Sequence, residues 1–348
     1  CHVLGFVGAE GHGLEGIELY YDTLLRGQPG VVRILRDGQG NLIPSMAQVV
    51  TPPEPGRDLV LTIDARIQAI VEEEIARLAE ESLPRSVSAV VMDPVTGEIL
   101  ALANLPDFDP NRPGSASPDQ RRNRAVTDLF EPGSIFKIVT AAAAIEENLV
   151  SPSDTIFCHH GEWNVRGHVL HDVHPYGNLS VEEVVVKSSN IGTVQIAMLL
   201  GEERLYRFCR AFGFGDPTGV DLPGEIRGVL RPVERWSGYS ITAVPIGQEV
   251  GITSLQGVRA MAVIANGGSL VRPHLLKESV SAAGAREEVS LPAVRILSQE
   301  TCGTVSAILE KVVSPAGTAP LAAIPGYRVC GKTGTAQKYE GGRYSSTK

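Results

Sequence analysis

Three short polar motifs hold the residue types that acyl-transfer chemistry needs. They are Ser134-Ile-Phe-Lys137, Ser188-Ser-Asn190 and Lys332-Thr-Gly334, in that order along a chain of 348 residues. A serine hydroxyl is a weak nucleophile at its own pKa and needs a neighbouring base. Lys137 lies one helical turn beyond Ser134, so its amine falls on the same face as the hydroxyl. Glu131-Pro-Gly133 leads into Ser134, and residues 135–145 read as a helix. That places Ser134 at a helix N-terminus, where the dipole and free N–H groups favour developing negative charge. The helix is apolar nearly all round, with Ile138, Val139, four alanines at 141–144 and Ile145, a pattern that indicates burial. Burial strips water from an ammonium and lowers its pKa, so Lys137 can be a neutral amine able to accept the serine proton. By itself S-x-x-K equally describes a lysine salt-bridged near a helix start. The chain even ends on a second copy, Ser345-Ser-Thr-Lys348, but that one lies in a Gly- and Ser-rich stretch.

Three other patterns compete for attention. Gly11-His-Gly13-Leu-Glu-Gly16 matches the dinucleotide fingerprint G-x-G-x-x-G, with Asp37 downstream. Gly8-Ala-Glu10 separates it from the preceding extended run, however, and a proline-rich segment follows instead of a second crossover helix. Gly326-Tyr-Arg-Val-Cys-Gly331-Lys332-Thr333 matches a P-loop letter for letter, yet Tyr-Arg-Val-Cys prefers a strand and no helix signal follows. Cys158, His159, His160, His168, His171 and His174 crowd together as zinc ligands can. The segments 165–170 and 175–177 suggest a hairpin, where residues three apart point to opposite faces. Neither a nucleotide nor a metal is expected, and no cofactor is indicated.

The elements that must position the three motifs can be read coarsely. Residues 1–50 read as extended runs at 3–7 and 31–35 around a helix near 17–25. Thr51-Pro-Pro-Glu-Pro-Gly56 suits an extended connector and marks a domain boundary. Residues 59–63 read as a strand. Ile67, Ile70, Val71, Ile75 and Leu78 have helical spacing over 65–79. Residues 88–92 and 98–103 flank Asp93-Pro-Val-Thr-Gly97 as an antiparallel hairpin. A largely helical stretch is expected from about 134 to 265, and a last strand over 328–336. Strands at both ends with helices between predict an α/β fold whose sheet is closed by distant parts of the chain. Hydrophobic content of 43% and charged content of 20% fit a folded protein, not a disordered or fibrous one. A net charge of −9 argues against a nucleic-acid surface. Five widely spread cysteines do not make a disulfide framework.

The three motifs in this order resemble the serine penicillin-recognising enzymes, the penicillin-binding proteins together with serine β-lactamases. Further segments carry the resemblance. Gly13-Leu-Glu-Gly-Ile-Glu18, Tyr21-Asp22 and Leu25-Arg-Gly27 are similar to the pedestal module of class B penicillin-binding proteins. Met92-Asp-Pro-Val-Thr-Gly97 looks like the opening of their catalytic domain, and Asn123-Arg-Ala-Val-Thr-Asp128 resembles the septal, cell-division branch. Residues 247–256 and Ile264-Ala-Asn-Gly-Gly268 also fit. The resemblance implies a penicillin-binding transpeptidase fold, an antiparallel sheet flanked by helices plus an all-helical subdomain, over 57–348, with a pedestal or dimerisation-like module and linker over 1–56.

It also implies roles. Ser134 would be the acylated nucleophile and Lys137 its base, and Ser188 would relay the proton to the leaving amine. Asn190 would hold the substrate amide. Lys332 would place positive charge near the substrate carboxylate, which the Thr333 and Thr335 hydroxyls would bind. Gly334 would let the backbone approach closely. The N–H groups of Ser134 and Thr335 would form an oxyanion hole, each donor worth roughly 3 kcal/mol in the transition state. The implied reaction is peptidoglycan cross-linking between stem peptides, with release of D-Ala and inhibition by β-lactams. A glycosyltransferase and other division proteins would be partners, and the place would be the inner (cytoplasmic) membrane, reached by an N-terminal anchor outside this chain, with the catalytic domain extracytoplasmic.

Two rival readings remain. A β-lactamase or D,D-carboxypeptidase would pass the same acyl-enzyme to water, although the pedestal-like first fifty residues count against it. A non-catalytic wall-binding or divisome scaffold would keep the fold without turnover, although the intact motif set counts against that. The family pattern has two more strands and a helix after the Lys332 motif, so the chain is expected to be a fragment of marginal stability, with an unpaired edge beside the site.

Overall fold

The computed structural model describes residues 1–336 and the backbone of two short strands, 339–340 and 343–344. Gln337 and the terminal Ser345-Ser-Thr-Lys348 lie outside the described residues. The chain begins with β1 (Phe6–Val7) paired antiparallel to β2 (Gly13–Glu15). The three fingerprint glycines therefore sit in and just after a hairpin turn, not at a strand-to-helix phosphate site. Gly16 has φ +62°, and a Cβ there would lie 2.5 Å from the Gly5 nitrogen, so close backbone packing fixes this glycine. The expected helix near 17–25 is split at Tyr21 into α1 (Gly16–Tyr20) and α2 (Asp22–Leu25). A two-stranded ribbon follows, β3 (Val31–Arg36) against β4 (Leu42–Thr51), and nearly all its residues are exposed. β4 is a strand that composition does not announce, because Pro44 and Ser45 interrupt its apolar residues.

The connector at 51–56 is held extended by paired backbone hydrogen bonds between Gln28 and Glu54. β5 (Asp58–Leu61) leads to α3 (Ala65–Ser82), whose N-cap Asp64 accepts from the N–H groups of Arg66 and Ile67. α3 is pinned to the following hairpin through Gln68, which exchanges two hydrogen bonds with the Leu102 backbone. That hairpin is β6 (Val87–Met92) and β7 (Ile99–Leu105), as the turn at 93–97 predicts. Asp93 closes the turn by accepting from Val95 and Thr96 N–H.

The middle of the chain is mainly helical. Short α4 (Pro118–Arg121) and α5 (Arg124–Thr127) precede a 3-10 turn, Gly133–Phe136, which runs into α6 (Lys137–Glu146). Two small antiparallel pairs interrupt the expected helical run: β8 (Thr155–Phe157) with β11 (Asn178–Ser180), and β9 (Glu162–Val165) with β10 (His168–His171). Then come α7 (Val181–Val186), α8 (Asn190–Leu200) and α9 (Glu202–Ala211). β12 (Val229–Leu230) pairs with β13 (Val250–Gly251) around α10 (Ser240–Ala243), before the longer α11 (Ser254–Ala265). β14 (Ser269–Leu270) pairs with β17 (Val294–Arg295), and β15 (Leu276–Val280) pairs with both β16 (Arg286–Glu288) and β5. The β5–β15 pairing closes the sheet across more than two hundred residues of sequence. α12 (Gln299–Val312) completes the helical layer.

α6 is the axis of the core. Every side chain from Lys137 to Ala144 is buried, and the helix is wrapped by Leu205 and Phe208 of α9, Val263 of α11, and Val305 and Ile308 of α12. A helix enclosed on all sides explains its all-round apolar pattern, and its alanines let the neighbouring helices approach.

A further sequence expectation fails. Residues 328–336 are not a strand. The run has strand-like side chains, but a strand exists only through its partner, and among the described residues none pairs with it. Its backbone is tied instead by Gly331 N–H to the Leu309 carbonyl of α12. Among the described residues no helix is long and apolar enough to cross a membrane.

Candidate active site

The Glu131-Pro-Gly133 approach to α6 is set by close backbone contacts. Gly133 has φ +54°, its N–H donates to the Gly247 carbonyl at 3.2 Å, and a Cβ on it would sit 2.4 Å from the Thr335 oxygen. Glu131 accepts from the Glu249 N–H at 3.0 Å, and Phe130 and Ile252 exchange backbone hydrogen bonds. The turn bearing Ser134 is thus clamped along the segment 247–252. Ser134 then falls in the 3-10 turn Gly133–Phe136 rather than in the α-helix itself, and Lys137 is the first residue of α6.

Lys137 is only 1% exposed. Its Nζ donates to the Ser188 carbonyl at 2.6 Å, to Asn190 Oδ1 at 2.7 Å and to Ser188 Oγ at 3.2 Å. Burial, helped by the charge of Lys332, pushes this amine down to about 7, and Asp172 opposes the shift. Among the described residues no hydrogen bond reaches the Ser134 hydroxyl, and the amine is engaged by the middle motif. Contacts of this kind commonly tighten only when substrate enters.

Ser188 occupies the turn between α7 and α8 with φ +58°, a left-handed conformation that serine rarely adopts. The strain aims its hydroxyl between two amines, because Lys332 Nζ donates to the same Oγ at 2.9 Å. Burial pushes Lys332 down to about 8. Asn190 opens α8 and donates its side-chain N–H to the His171 carbonyl at 2.8 Å. Gly334 packs on the turn bearing Ser134: a Cβ there would lie 2.7 Å from an Ile135 side-chain carbon and 2.9 Å from the Pro132 oxygen. The Thr333 hydroxyl meets that of Thr318 at 3.2 Å.

A cavity of about 520 Å³ is lined by Ser134, Ser188, Asn190, Thr333, Thr335 and Tyr176, among others. Lys137 and Lys332 reach it through Ser188. The fold therefore brings together all eight residues singled out in and beside the three motifs. The arrangement offers an open hydroxyl at a helix start, a buried amine of lowered pKa, a second hydroxyl joining two amines, and the hydroxyls of Thr333 and Thr335 on the facing segment. It can do acyl transfer to serine.

Some contributors lie outside the three motifs. Asp172 and Tyr176 come from the loop after β10, and Gly247 from the segment behind Ser134. Only the Pro175-Tyr-Gly177 turn could have drawn attention to Tyr176. Of the clustered histidines, His159 stacks on Trp163 and His168 packs against Tyr239. Among the described residues no group of three metal-ligating side chains converges.

Comparison with known proteins bears on the same residues. Residues 87–348 match the penicillin binding protein transpeptidase domain, and residues 5–61 match the penicillin-binding protein dimerisation domain. The chain is 39% identical to Stage V sporulation protein D of Bacillus subtilis, over 99% of this chain and 54% of that protein. It is 39% identical to penicillin-binding protein PbpB of Mycobacterium tuberculosis, over 98% and 52% respectively. It is 35% identical to a Neisseria meningitidis protein named "Probable peptidoglycan D,D-transpeptidase PenA", over 100% and 58%. The chain thus spans about half the length of these relatives. Among solved structures it is similar to penicillin binding protein 3 of Mycobacterium tuberculosis complexed with aztreonam, with TM-score 0.89 and 37% identity over 99% of this chain and 76% of that one. The ampicillin complex of that protein matches with TM-score 0.89 and 37% identity, over 99% and 75%.

Proposed function

The chain belongs to the class B penicillin-binding proteins, and from that premise we propose that it is a peptidoglycan D,D-transpeptidase working through an acyl-enzyme on Ser134. The observation that carries the reading is the line of contacts Lys137–Ser188–Lys332 beside the Ser134 cavity. With a pKa near 7, a substantial fraction of Lys137 is neutral and able to take the Ser134 proton as the hydroxyl attacks the D-Ala–D-Ala carbonyl. The N–H groups of Ser134 and Thr335 hold the oxyanion. Ser188, joined to both amines, passes the proton to the leaving D-Ala nitrogen. Asn190 orients the peptide amide, while Lys332, Thr333 and Thr335 receive the terminal carboxylate. The amine of a second stem peptide then takes the acyl group from Ser134 and frees the enzyme.

β-Lactams enter as donor mimics, by analogy with the aztreonam and ampicillin complexes of the mycobacterial protein. In this reading residues 1–56 form the pedestal-like unit and 57–348 the transpeptidase unit. A septal role at the cytoplasmic membrane, with a glycosyltransferase and division proteins as partners, belongs to the same proposal.

The test is intact mass after incubation with benzylpenicillin, beside Ser134→Ala and a circular-dichroism check of folding. The expected result is one long-lived adduct on the parent and none on Ser134→Ala. Rapid loss of the adduct would replace the transpeptidase by a β-lactamase. No adduct on a folded parent would replace it by a non-catalytic scaffold.

A further inference from the structure

Beneath the middle motif lies a carboxylate that none of the three motifs contains. Asp172, half-buried in the loop after β10, accepts hydrogen bonds from the Ser189 hydroxyl, the Asn190 N–H and the Ile191 N–H, the last at 3.1 Å. The two N–H groups open α8, so they would otherwise lack acceptors. Ser189 is 1% exposed, and its Oγ also accepts from Gly192 N–H at 2.9 Å as the N-cap. One side chain therefore ties down the Ser189 hydroxyl and the first two N–H groups of α8, immediately after Ser188 and at Asn190, the two residues that bond Lys137. The adjacent His171 carbonyl holds the Asn190 amide from the same loop.

Charge gives Asp172 a second effect. Facing the Lys137 amine are Ser188 and Asn190 from the turn into α8, Lys332 from the 328–336 segment, and Asp172 from the loop after β10. Lys332 disfavours the ammonium and Asp172 favours it. Asp172 also reaches Tyr176 and Cys158, whose acids are pushed up first by burial and then by this carboxylate.

We propose that Asp172 is a positioning residue for acylation: through Ser189 and the first N–H groups of α8 it fixes Ser188 and Asn190 around the Lys137 amine, and its carboxylate sets the electrostatic balance there against Lys332. The inference rests on Lys137 acting as the base.

Two substitutions separate geometry from charge. Asp172→Asn keeps an oxygen for the two N–H groups, and its amide N–H can donate to Ser189 Oγ, so the turn is retained while the charge is lost. Asp172→Glu keeps the charge on a longer stem and displaces the turn. The readout is the benzylpenicillin acylation rate of the full chain between pH 5.5 and 9.5, with a thermal melt for each variant.

Removing a negative charge beside an ammonium favours the neutral amine at lower pH. Asp172→Asn is therefore expected to move the acid limb toward lower pH, raising the ratio of the pH 6 rate to the plateau by about twofold or more. Asp172→Glu is expected to leave the limb in place and lower the plateau by about tenfold or more. A reacting parent whose limb is unmoved in Asp172→Asn would overturn this inference alone. So would a limb that moves equally in Asp172→Glu, or an Asp172→Asn chain without a cooperative melt, since the role would then lie in the fold. A folded parent that forms no adduct would overturn the transpeptidase reading and this inference with it.

Discussion

Lys137 gives the most demanding quantitative expectation. An ordinary lysine amine titrates near 10.5, where under a thousandth of it is neutral at pH 7; burial and Lys332 bring this one to about 7. The neutral fraction is then about one tenth at pH 6, one half at pH 7 and nine tenths at pH 8. If neutral Lys137 takes the Ser134 proton, the second-order rate of acylation by benzylpenicillin rises about tenfold from pH 6 to pH 8 and then levels. The assay is adduct formation by mass, with Ser134→Ala subtracting non-enzymatic loss of the drug. Lys137→Met keeps the volume of a side chain that is 1% exposed but has no proton acceptor. It is expected to lower the rate by about 10²–10⁴-fold and to abolish the acid limb. A rate that climbs about a hundredfold between pH 6 and 8 and keeps climbing past pH 9 would show an amine of ordinary pKa. A flat profile, or one retained in Lys137→Met, would remove Lys137 as the base altogether.

Further expectations follow from single contacts. Lys332→Ala deletes a positive charge that disfavours the Lys137 ammonium, so the acid limb should move to higher pH, as a rate-versus-pH series would show. Gly133→Ala forces a Cβ to 2.4 Å from the Thr335 oxygen at φ +54°; it should cost about 1–3 kcal/mol in urea unfolding and suppress adduct formation. Tyr21 donates its hydroxyl to Asp221 at 3.0 Å, and that buried carboxylate also accepts from Leu275 and Leu276 N–H at 2.7 Å each. Tyr21→Phe should therefore cost about 1.5–3 kcal/mol by the same unfolding measurement while leaving the acylation rate unchanged.

The sequence by itself determined what neighbours along the chain decide. Glu131-Pro-Gly133 followed by an all-round apolar run suffices to mark a helical turn at Ser134 and a buried helix from Lys137, because chain-breaking residues and 3.6-residue periodicity act within a few residues. Asp64 starting α3 and Asp93 closing the β6–β7 hairpin are legible for the same reason. The Gly11–Gly16 and Gly326–Thr333 patterns could be set aside because their flanks lacked the elements a phosphate site requires.

The tertiary structure decided everything that depends on a partner far away in sequence. Residues 328–336 have strand-forming side chains yet are no strand, since pairing is a property of two segments and this one meets α12. β4 is a strand despite Pro44 because β3 supplies its partner. Ser188 is left-handed, and its hydroxyl joins Lys137 to Lys332 across 51 and 144 residues. Asp172 has nothing in its own neighbourhood to mark it, and only the folding of the loop after β10 against α8 gives its carboxylate three donors. Local propensity fixes dihedral angles and exposure within one element. The lowered pKa of a lysine and the aim of a hydroxyl come from desolvation and charges that arrive only when remote elements pack.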